Sequence, residues 1–504
     1  MMRRRNGKEY SCEPCRKAKT RCDHGRPVCA KCISRRRTSH CFYHPAPMTQ
    51  PRQSEQAHSD PSSTDGLISH IFPDTPGTEI LRLLSARNQL YRGLIDAYLE
   101  TAQIRVVPKP LITALVASTE NLDISSDERI KDTVKRISAN TQEAIICDGQ
   151  ENFSTYCDQF TGQNLRWESL GIFFALLSSS AMLLPRSDPL VQKSRLSAVD
   201  LAAQLVQASS SCLELWRTSG PINDIAVMLM YQHLIVTSLH FGDADRRTWR
   251  RLVDLAGAIF EAGLYLSADE NSTTVPLALV EIRRRLFAAS YSIDKTLCTA
   301  HGRPPTVAKH YCRVSLPLEL DESMFLNPTI PNYHMLPELV DDRGWSLGGT
   351  YCSMTWLRLR YSLAVIREEL LAVLLGTYQS DSEQKLRHIS DKCSAEWDSF
   401  PPHTKYPEAV VLASRTYRQR LLLASIYIDY LSLEFQIQRE ICRLHGQIET
   451  ALVDVAQNII SMILTITTPS EHATEPFPRG FSWIVSTRRI QPPTELIALT
   501  TTPR

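Results

Sequence analysis

Between about residues 76 and 467 apolar side chains return every three to four positions, the spacing that gathers them on one face of a helix. The segments 165–184, 222–241, 246–266, 277–298, 351–378 and 415–446 each hold that period for at least twenty residues. No stretch of similar length alternates apolar with polar positions, so no strand pattern competes. A hydrophobic content of 43% supplies a large core. No run reaches the about eighteen clean apolar residues of a membrane span. The pattern predicts a large all-α domain and no membrane association.

The flanks of that domain read differently. Asp74, Thr75 and Pro76 form a capping signal with proline at a first helical position, and the stretch 79–102 then carries Leu84, Tyr91 and Tyr98 at seven-residue spacing with Leu81, Leu94 and Ile95 between them. The seam is interrupted at Arg87 and Asn88 and lasts three heptads at most, so a helix packed on the large domain is expected in preference to a dimerising coiled coil. Upstream, residues 45–66 are Pro, Ser, Gln and Asp with almost nothing to bury, the composition of a flexible linker. Downstream, helical periodicity collapses after Phe481–Val485, where a shortened or altered end is expected. The expected organisation is a small domain at 1–44, a linker at 45–74, a helical domain at 75–467 and an irregular tail at 468–504.

Cysteine changes the picture at the N-terminal end. Cys12, Cys15, Cys22, Cys29, Cys32 and Cys41 fall within thirty residues, in two halves that each begin Cys-x-x-Cys and end in a third cysteine. Tetrahedral zinc takes four such ligands at about 2.3 Å. Six thiolates therefore complete one site with two left over, or two sites if two sulfurs bridge, and the matching halves favour two. A single finger built from Cys12, Cys15, Cys29 and Cys32 is the rival; it leaves Cys22 and Cys41 as free thiols at matching offsets. His24, His40 and His44 are expected to be solvent-exposed or phosphate-adjacent rather than ligands. A disulfide knot is disfavoured, because MMRRRNGKEY has charge but no apolar leader and an intracellular, reducing compartment is expected. Residues 1–45 hold little beyond Val28, Ile33, Phe42 and Tyr43 to bury, so folding would depend on metal. The other eight cysteines, at 147, 157, 212, 298, 312, 352, 393 and 442, form no close pair and are expected to be buried small hydrophobes.

Charge points the same way. Residues 1–45 carry thirteen Lys or Arg against Glu9, Glu13 and Asp23, a formal +10 in a chain whose total is +2, so the remaining 459 residues carry −8. Arg16, Lys17, Lys19 and Arg21 are threaded between the ligands Cys15 and Cys22, which fixes a basic surface for phosphate.

The run from Cys12 to Cys41, CEPCRKAKTRCDHGRPVCAKCISRRRTSHC, resembles the binuclear zinc cluster of fungal transcription regulators, the Zn2Cys6 family. The resemblance implies two Zn2+ ions, with Cys12 and Cys29 bridging, Cys15 and Cys22 completing one site and Cys32 and Cys41 the other. Pro27 stands where the family keeps a proline between the halves. The family places the short helix after the second cysteine in the major groove, where Lys19 would read bases, consistent with lysine donating to guanine O6 and N7. Arg16, Lys17, Arg21 and Lys31 are better placed for phosphates, which position without specifying. CGG-type half-sites in double-stranded DNA are the implied target.

A second stretch, 281–307, preceded by 249–266, is similar to the fungal-specific regulatory (middle homology) domain that accompanies such clusters. Arg283, Arg284, Arg285, Asp294 and the turn Gly302, Arg303, Pro304, Pro305 carry the likeness; Ala288 stands where many relatives keep tryptophan. The arginine run is expected on a surface face, paired with carboxylates.

No glycine-rich phosphate loop, His-Glu-x-x-His, nucleophile elbow or dinucleotide fingerprint occurs, so an enzyme is not expected. The leading reading is a nuclear, zinc-dependent, sequence-specific regulator of RNA polymerase II transcription. It would bind DNA as a homodimer or monomer, engage the transcription machinery, and regulate a secondary-metabolite gene cluster. A small-molecule effector in the helical domain is compatible with the family likeness. The alternative is an effector-binding or scaffold protein whose zinc module binds nucleic acid nonspecifically or a protein partner.

Overall fold

The computed structural model describes residues 11–41 and 76–467, except positions 13, 16, 17, 19, 26, 36, 37, 39, 40, 103, 195 and 350 and the stretches 147–151, 185–187, 267–275, 327–335, 377–380 and 407–414. The linker expected at 45–74 and the tail expected at 468–504 lie outside the described residues. The chain divides into two compact units, Met1–Pro73 and Asp74–Arg504.

The first unit has one short described helix, α1 (Ala30–Ser34). Its buried residues are Cys12, Cys15, Cys22, Cys29 and Cys32, with Val28 and Cys41 packed on them. Sulfur stands where a hydrophobic core would be.

In the second unit the described residues form α2 (Pro76–Ser85), α3 (Asn88–Thr101), α4 (Lys109–Glu120), α5 (Asp127–Gln142), α6 (Phe153–Asp158), α7 (Trp167–Leu183), α8 (Pro189–Lys193), α9 (Ala198–Ser219) and α10 (Asp224–Phe241). They continue as α11 (Arg246–Glu261), α12 (Leu277–His301), α13 (Glu322–Leu326), α14 (Leu336–Leu339), α15 (Ser353–Leu374), α16 (Ser382–Ser399), α17 (Tyr417–His445) and α18 (Thr450–Thr467). Extended pairing among the described residues is confined to isolated bridges, Leu266 with Arg313 and Val340 with Ser346. No described helix is long and apolar enough to cross a membrane.

Two helices buried around their whole circumference organise this unit. The first is α7, whose residues from Trp167 to Ala181 are all buried, between α3, α9 and α10. A helix apolar on every side has no solvent face to offer. Gly171 lets its neighbours close in: a Cβ there would stand 2.6 Å from Leu229 Cδ1 and 3.1 Å from Cys212 Cβ. At this crossing Ser209 Oγ donates to Gly171 O at 3.0 Å, so the His233 Nδ1–H, 3.1 Å away, must be the donor to Ser209. One hydrogen-bond chain thus threads α10, α9 and α7.

The second buried helix is α12, packed on α15, with α16 and α17 beyond and α18 laid against α17. It corrects the expectation for the arginine run. Arg284 and Arg285 are buried, and only Arg283 keeps partial exposure. The pairing with carboxylates is present: Arg283 Nε lies 3.1 Å from Asp224, Arg284 Nη1 2.8 Å from Glu281 and Arg285 Nη1 3.6 Å from Glu322. A central helix has no surface side, so its charges find internal partners.

The stretch 79–102 is two helices, breaking at Ala86 and Arg87, beside the interruption in its heptads. Leu84, Tyr91 and Tyr98, the would-be seam, are buried in the unit's own core together with Leu81, Leu94 and Ile95. Of the cysteines expected inside, Cys157, Cys212, Cys298, Cys312, Cys352, Cys393 and Cys442 are buried, and Cys147 lies outside the described residues.

Candidate metal centre and nucleic-acid interface

Each half of the cysteine segment builds a helical turn onto its Cys-x-x-Cys pair. In the first half Ala18 N–H donates to Pro14 O and Thr20 N–H to Cys15 O, both at 3.0 Å. In the second, Cys29 has extended backbone and caps α1, its sulfur accepting from Cys32 N–H at 3.4 Å. Asp23 completes that turn from across the loop: its Oδ2 accepts from Ala30 N–H at 3.0 Å. Donation from Ala30 N–H, foremost, holds the Asp23 carboxyl below its ordinary range. His24 next to it takes a left-handed φ of 61°.

The sulfur geometry was open to test. A zinc–sulfur bond of about 2.3 Å sets the edge of a ZnS4 tetrahedron near 3.8 Å. Cys12 Sγ stands 3.5 Å from Cys29, 3.7 Å from Cys32 and 3.8 Å from Cys22, and Cys15 Sγ is 3.7 Å from Cys29. Cys41 Sγ accepts from Cys29 N–H at 3.4 Å. The four sulfurs of Cys12, Cys15, Cys29 and Cys32 all lie within 4.8 Å of one another. These distances and a donor set of buried soft thiols suit zinc.

Electrostatics separate the cysteines. Burial pushes the Cys12 and Cys32 thiols up, Cys32 to about 12. At Cys29 burial also pushes upward, but the Cys32 N–H and the surrounding thiols of Cys32, Cys12 and Cys15 outweigh it and lower the pKa to about 6. Among these three, Cys29 is the sulfur whose surroundings favour the thiolate.

Of the residues expected to touch DNA, Arg21 and Lys31 are described, and both are exposed. Arg16, Lys17 and Lys19 lie outside the described residues, as do His40 and His44. Asp23 entered the sequence reading only as a charge. Its position just before a Gly-Arg-Pro turn was the available signal, since aspartate in such turns hydrogen-bonds nearby backbone.

In the helical unit the expected pieces Asp294 and Gly302 to Pro305 come together. Gly302 ends α12 in left-handed backbone, φ 59°. Asp294 then accepts from the N–H groups of Thr306 and Val307, each at 3.2 Å, and from Lys295 Nζ at 2.7 Å. Lys295, fully buried, also donates to Val307 O, lies 3.1 Å from Glu368 on α15 and stands over the Tyr291 ring at 3.9 Å. Tyr291 O–H donates to the same Glu368 at 2.6 Å. Ala288 is buried like its neighbours on the helix.

Two family models match the chain. Residues 10–50 match the fungal Zn(2)-Cys(6) binuclear cluster domain, and residues 234–338 match the fungal specific transcription factor domain. No curated protein and no solved structure matches it. A sulfur-centred, basic N-terminal unit and an all-helical unit thus each contain a match to a domain of fungal Zn2Cys6 transcription factors, which supports zinc binding, DNA binding and a role in transcription regulation.

Proposed function

We propose that the protein is a nuclear, sequence-specific regulator of RNA polymerase II genes, and that its N-terminal unit, residues 1–44, holds two zinc ions through six cysteines. The carrying observation is the position of Cys12. Its sulfur is within a tetrahedron edge of Cys22 and also of Cys32, which would belong to different zinc ions, and of Cys29, the other bridging thiolate. Cys15 and Cys22 would complete one site, Cys32 and Cys41 the other. Zinc here supplies shape: structural sites contribute roughly 10–16 kcal/mol of apparent binding free energy, which is folding free energy in a unit without an apolar core. Native mass measurement should find two zinc ions per chain; one would restore the single site of Cys12, Cys15, Cys29 and Cys32.

In this reading Lys19 contacts bases of CGG-type half-sites, and Arg16, Lys17, Arg21 and Lys31 contact phosphate. The exposure of Arg21 and Lys31 and the +10 balance of residues 1–45 support it. The helical unit, 75–467, would carry regulation, binding a small-molecule effector and the transcription machinery, with homodimer or monomer as the DNA-bound form and a secondary-metabolite gene cluster as target. Selection from random duplexes by the full chain should enrich CGG-like triplets, and a flat profile would refute sequence-specific recognition. Lys19→Ala should lower discrimination between specific and scrambled duplexes. Arg21→Ala should weaken both alike and reduce the salt slope by about 0.9.

A further inference from the structure

His445, the last residue of α17, has a carboxylate against each nitrogen of its ring. Nε2 lies 3.0 Å from Glu383 Oε2 on the first turn of α16, and Nδ1 lies 2.6 Å from Oε1 of Glu449, the residue before α18. A neutral imidazole has one N–H and one bare nitrogen, and a bare nitrogen cannot bond an ionised carboxylate. Both contacts are hydrogen bonds only when both nitrogens carry protons, so this geometry is that of the imidazolium. His445, foremost, and Arg387 hold the Glu383 carboxyl below its ordinary range, which keeps it ionised. In return Glu383, foremost, and Glu449 raise the His445 pKa above its ordinary value of 6.5. The C-terminal turn of a helix also favours a cation. Of the other charges nearby, Arg387 of α16 donates to the second oxygen of Glu383, Oε1, at 2.9 Å, and Arg443, two residues back along α17, donates to Glu440 at 2.7 Å.

These contacts stand where α18 is least secured. Among the described helices α18 packs chiefly on α17, and the turn 446–449 leads into it from Gly446, whose backbone is left-handed, φ 69°. Glu449 N–H donates to Cys442 Sγ at 3.3 Å, so that turn is already tied to α17. His445 adds α16: through one ring the entrance of α18 is joined to a helix it otherwise scarcely meets. The side chain is 28% exposed, so solvent can remove and return the proton without unfolding the domain. Deprotonation leaves one N–H for two carboxylates, with Arg387 balancing one of them.

We propose that His445 is a proton-operated clasp: its imidazolium ties the entrance of α18 to α16, and loss of the proton releases that tie and lets α18 open from α17. The sign follows from the raised pKa. The tie is complete below about pH 6.5, where folded and opened chains are both protonated, and is lost as pH rises through the folded value. A rise of about half a unit corresponds to a roughly threefold change in the opening equilibrium. Deuterium exchange at the imidazole C2 position, read by mass spectrometry on the full chain, gives the His445 pKa, which should lie above 6.5 and return toward it in Glu383→Gln/Glu449→Gln. Amide exchange at 452–464, corrected for the intrinsic rate, should quicken about threefold or more between about pH 6 and about pH 8.5, while α7 stays unchanged. His445→Gln alters a side chain outside the core, and its α18 should exchange at the fast rate at both pH values. A His445 pKa at or below 6.5 in the folded chain would overturn the proposal. So would an α18 exchange rate whose pH dependence is the same in His445→Gln as in the unaltered chain, since the proton would then act elsewhere.

Discussion

Replacing Asp294 by alanine should destabilise the helical unit about as much as truncating a buried apolar side chain near it, for reasons that can be counted. The carboxylate accepts from Lys295 Nζ at 2.7 Å, from two backbone N–H groups at 3.2 Å and from the Thr306 hydroxyl at 2.5 Å. Without it Lys295, completely buried, keeps Glu368 and Val307 O but loses its nearest counter-charge. Breaking a buried pair from one side costs about 3–5 kcal/mol. Relaxation of the turn after Gly302 should return a part, so about 3 kcal/mol is expected. Lys295→Met removes the other charge and leaves Asp294 with its N–H and hydroxyl donors, and should cost less. With both replaced no orphaned charge remains, and the double variant should be more stable than the summed singles by about 1–3 kcal/mol. Urea unfolding of the full chain, followed by far-ultraviolet circular dichroism, reads the helical unit; the midpoint should fall at constant slope. A loss below about 1 kcal/mol for Asp294→Ala, or strict additivity in the double variant, would refute the argument that this pair pins the turn to α12 and α15.

Four further outcomes are expected. Burial, with Arg251 and Arg217 adding to it, lowers the His233 pKa to about 3. The unfolded chain takes up that proton near 6.5 and the folded chain does not, so stability should fall as pH drops from about 6.5 toward 3, by up to about 1.4 kcal/mol per pH unit from this residue; urea midpoints of His233→Gln should show a shallower acid slope. Gly171→Ala should destabilise by about 1–3 kcal/mol through its clash with Leu229, whereas Gly257→Ala, whose Cβ meets nothing within 4 Å, should stabilise α11 by up to about 1 kcal/mol in the same titration. His24→Gly removes left-handed strain of about 1–2 kcal/mol and should slow zinc loss to a competing chelator. Chelation itself should abolish DNA binding while the helical circular dichroism persists, since the described helices lie almost wholly in the second unit.

How far residues disclose the molecule depends on how far apart in the chain the deciding contacts are. The six cysteines span thirty residues, and tetrahedral sulfur coordination dictates their arrangement, so spacing alone points to the site. Helix periodicity is equally local: the break at Ala86 and Arg87 falls at the polar residues, Arg87 and Asn88, that interrupt the heptads of 79–102. Arg284, Arg285, Lys295 and Arg358 escaped because a hydrophobic–polar pattern treats charge as a mark of the surface, whereas all four are buried. Beside the local partners Glu281 of Arg284 and Asp294 of Lys295, others are remote: Glu368 lies on α15, a helix away from Lys295, and Arg358 donates at 2.5 Å to the carbonyls of Pro317 and Arg343. Glu281 similarly accepts from Leu318 N–H at 2.8 Å, and Glu319 from Ser346 N–H at 2.9 Å. These charges hold non-helical parts of the connection between α12 and α15, at 317–318 and 343–346, whose backbone groups have no helix to satisfy them. The same polarity that made them look like surface residues is what an internal, non-helical segment requires, so position in the fold, which periodicity does not encode, decides which meaning a buried arginine has.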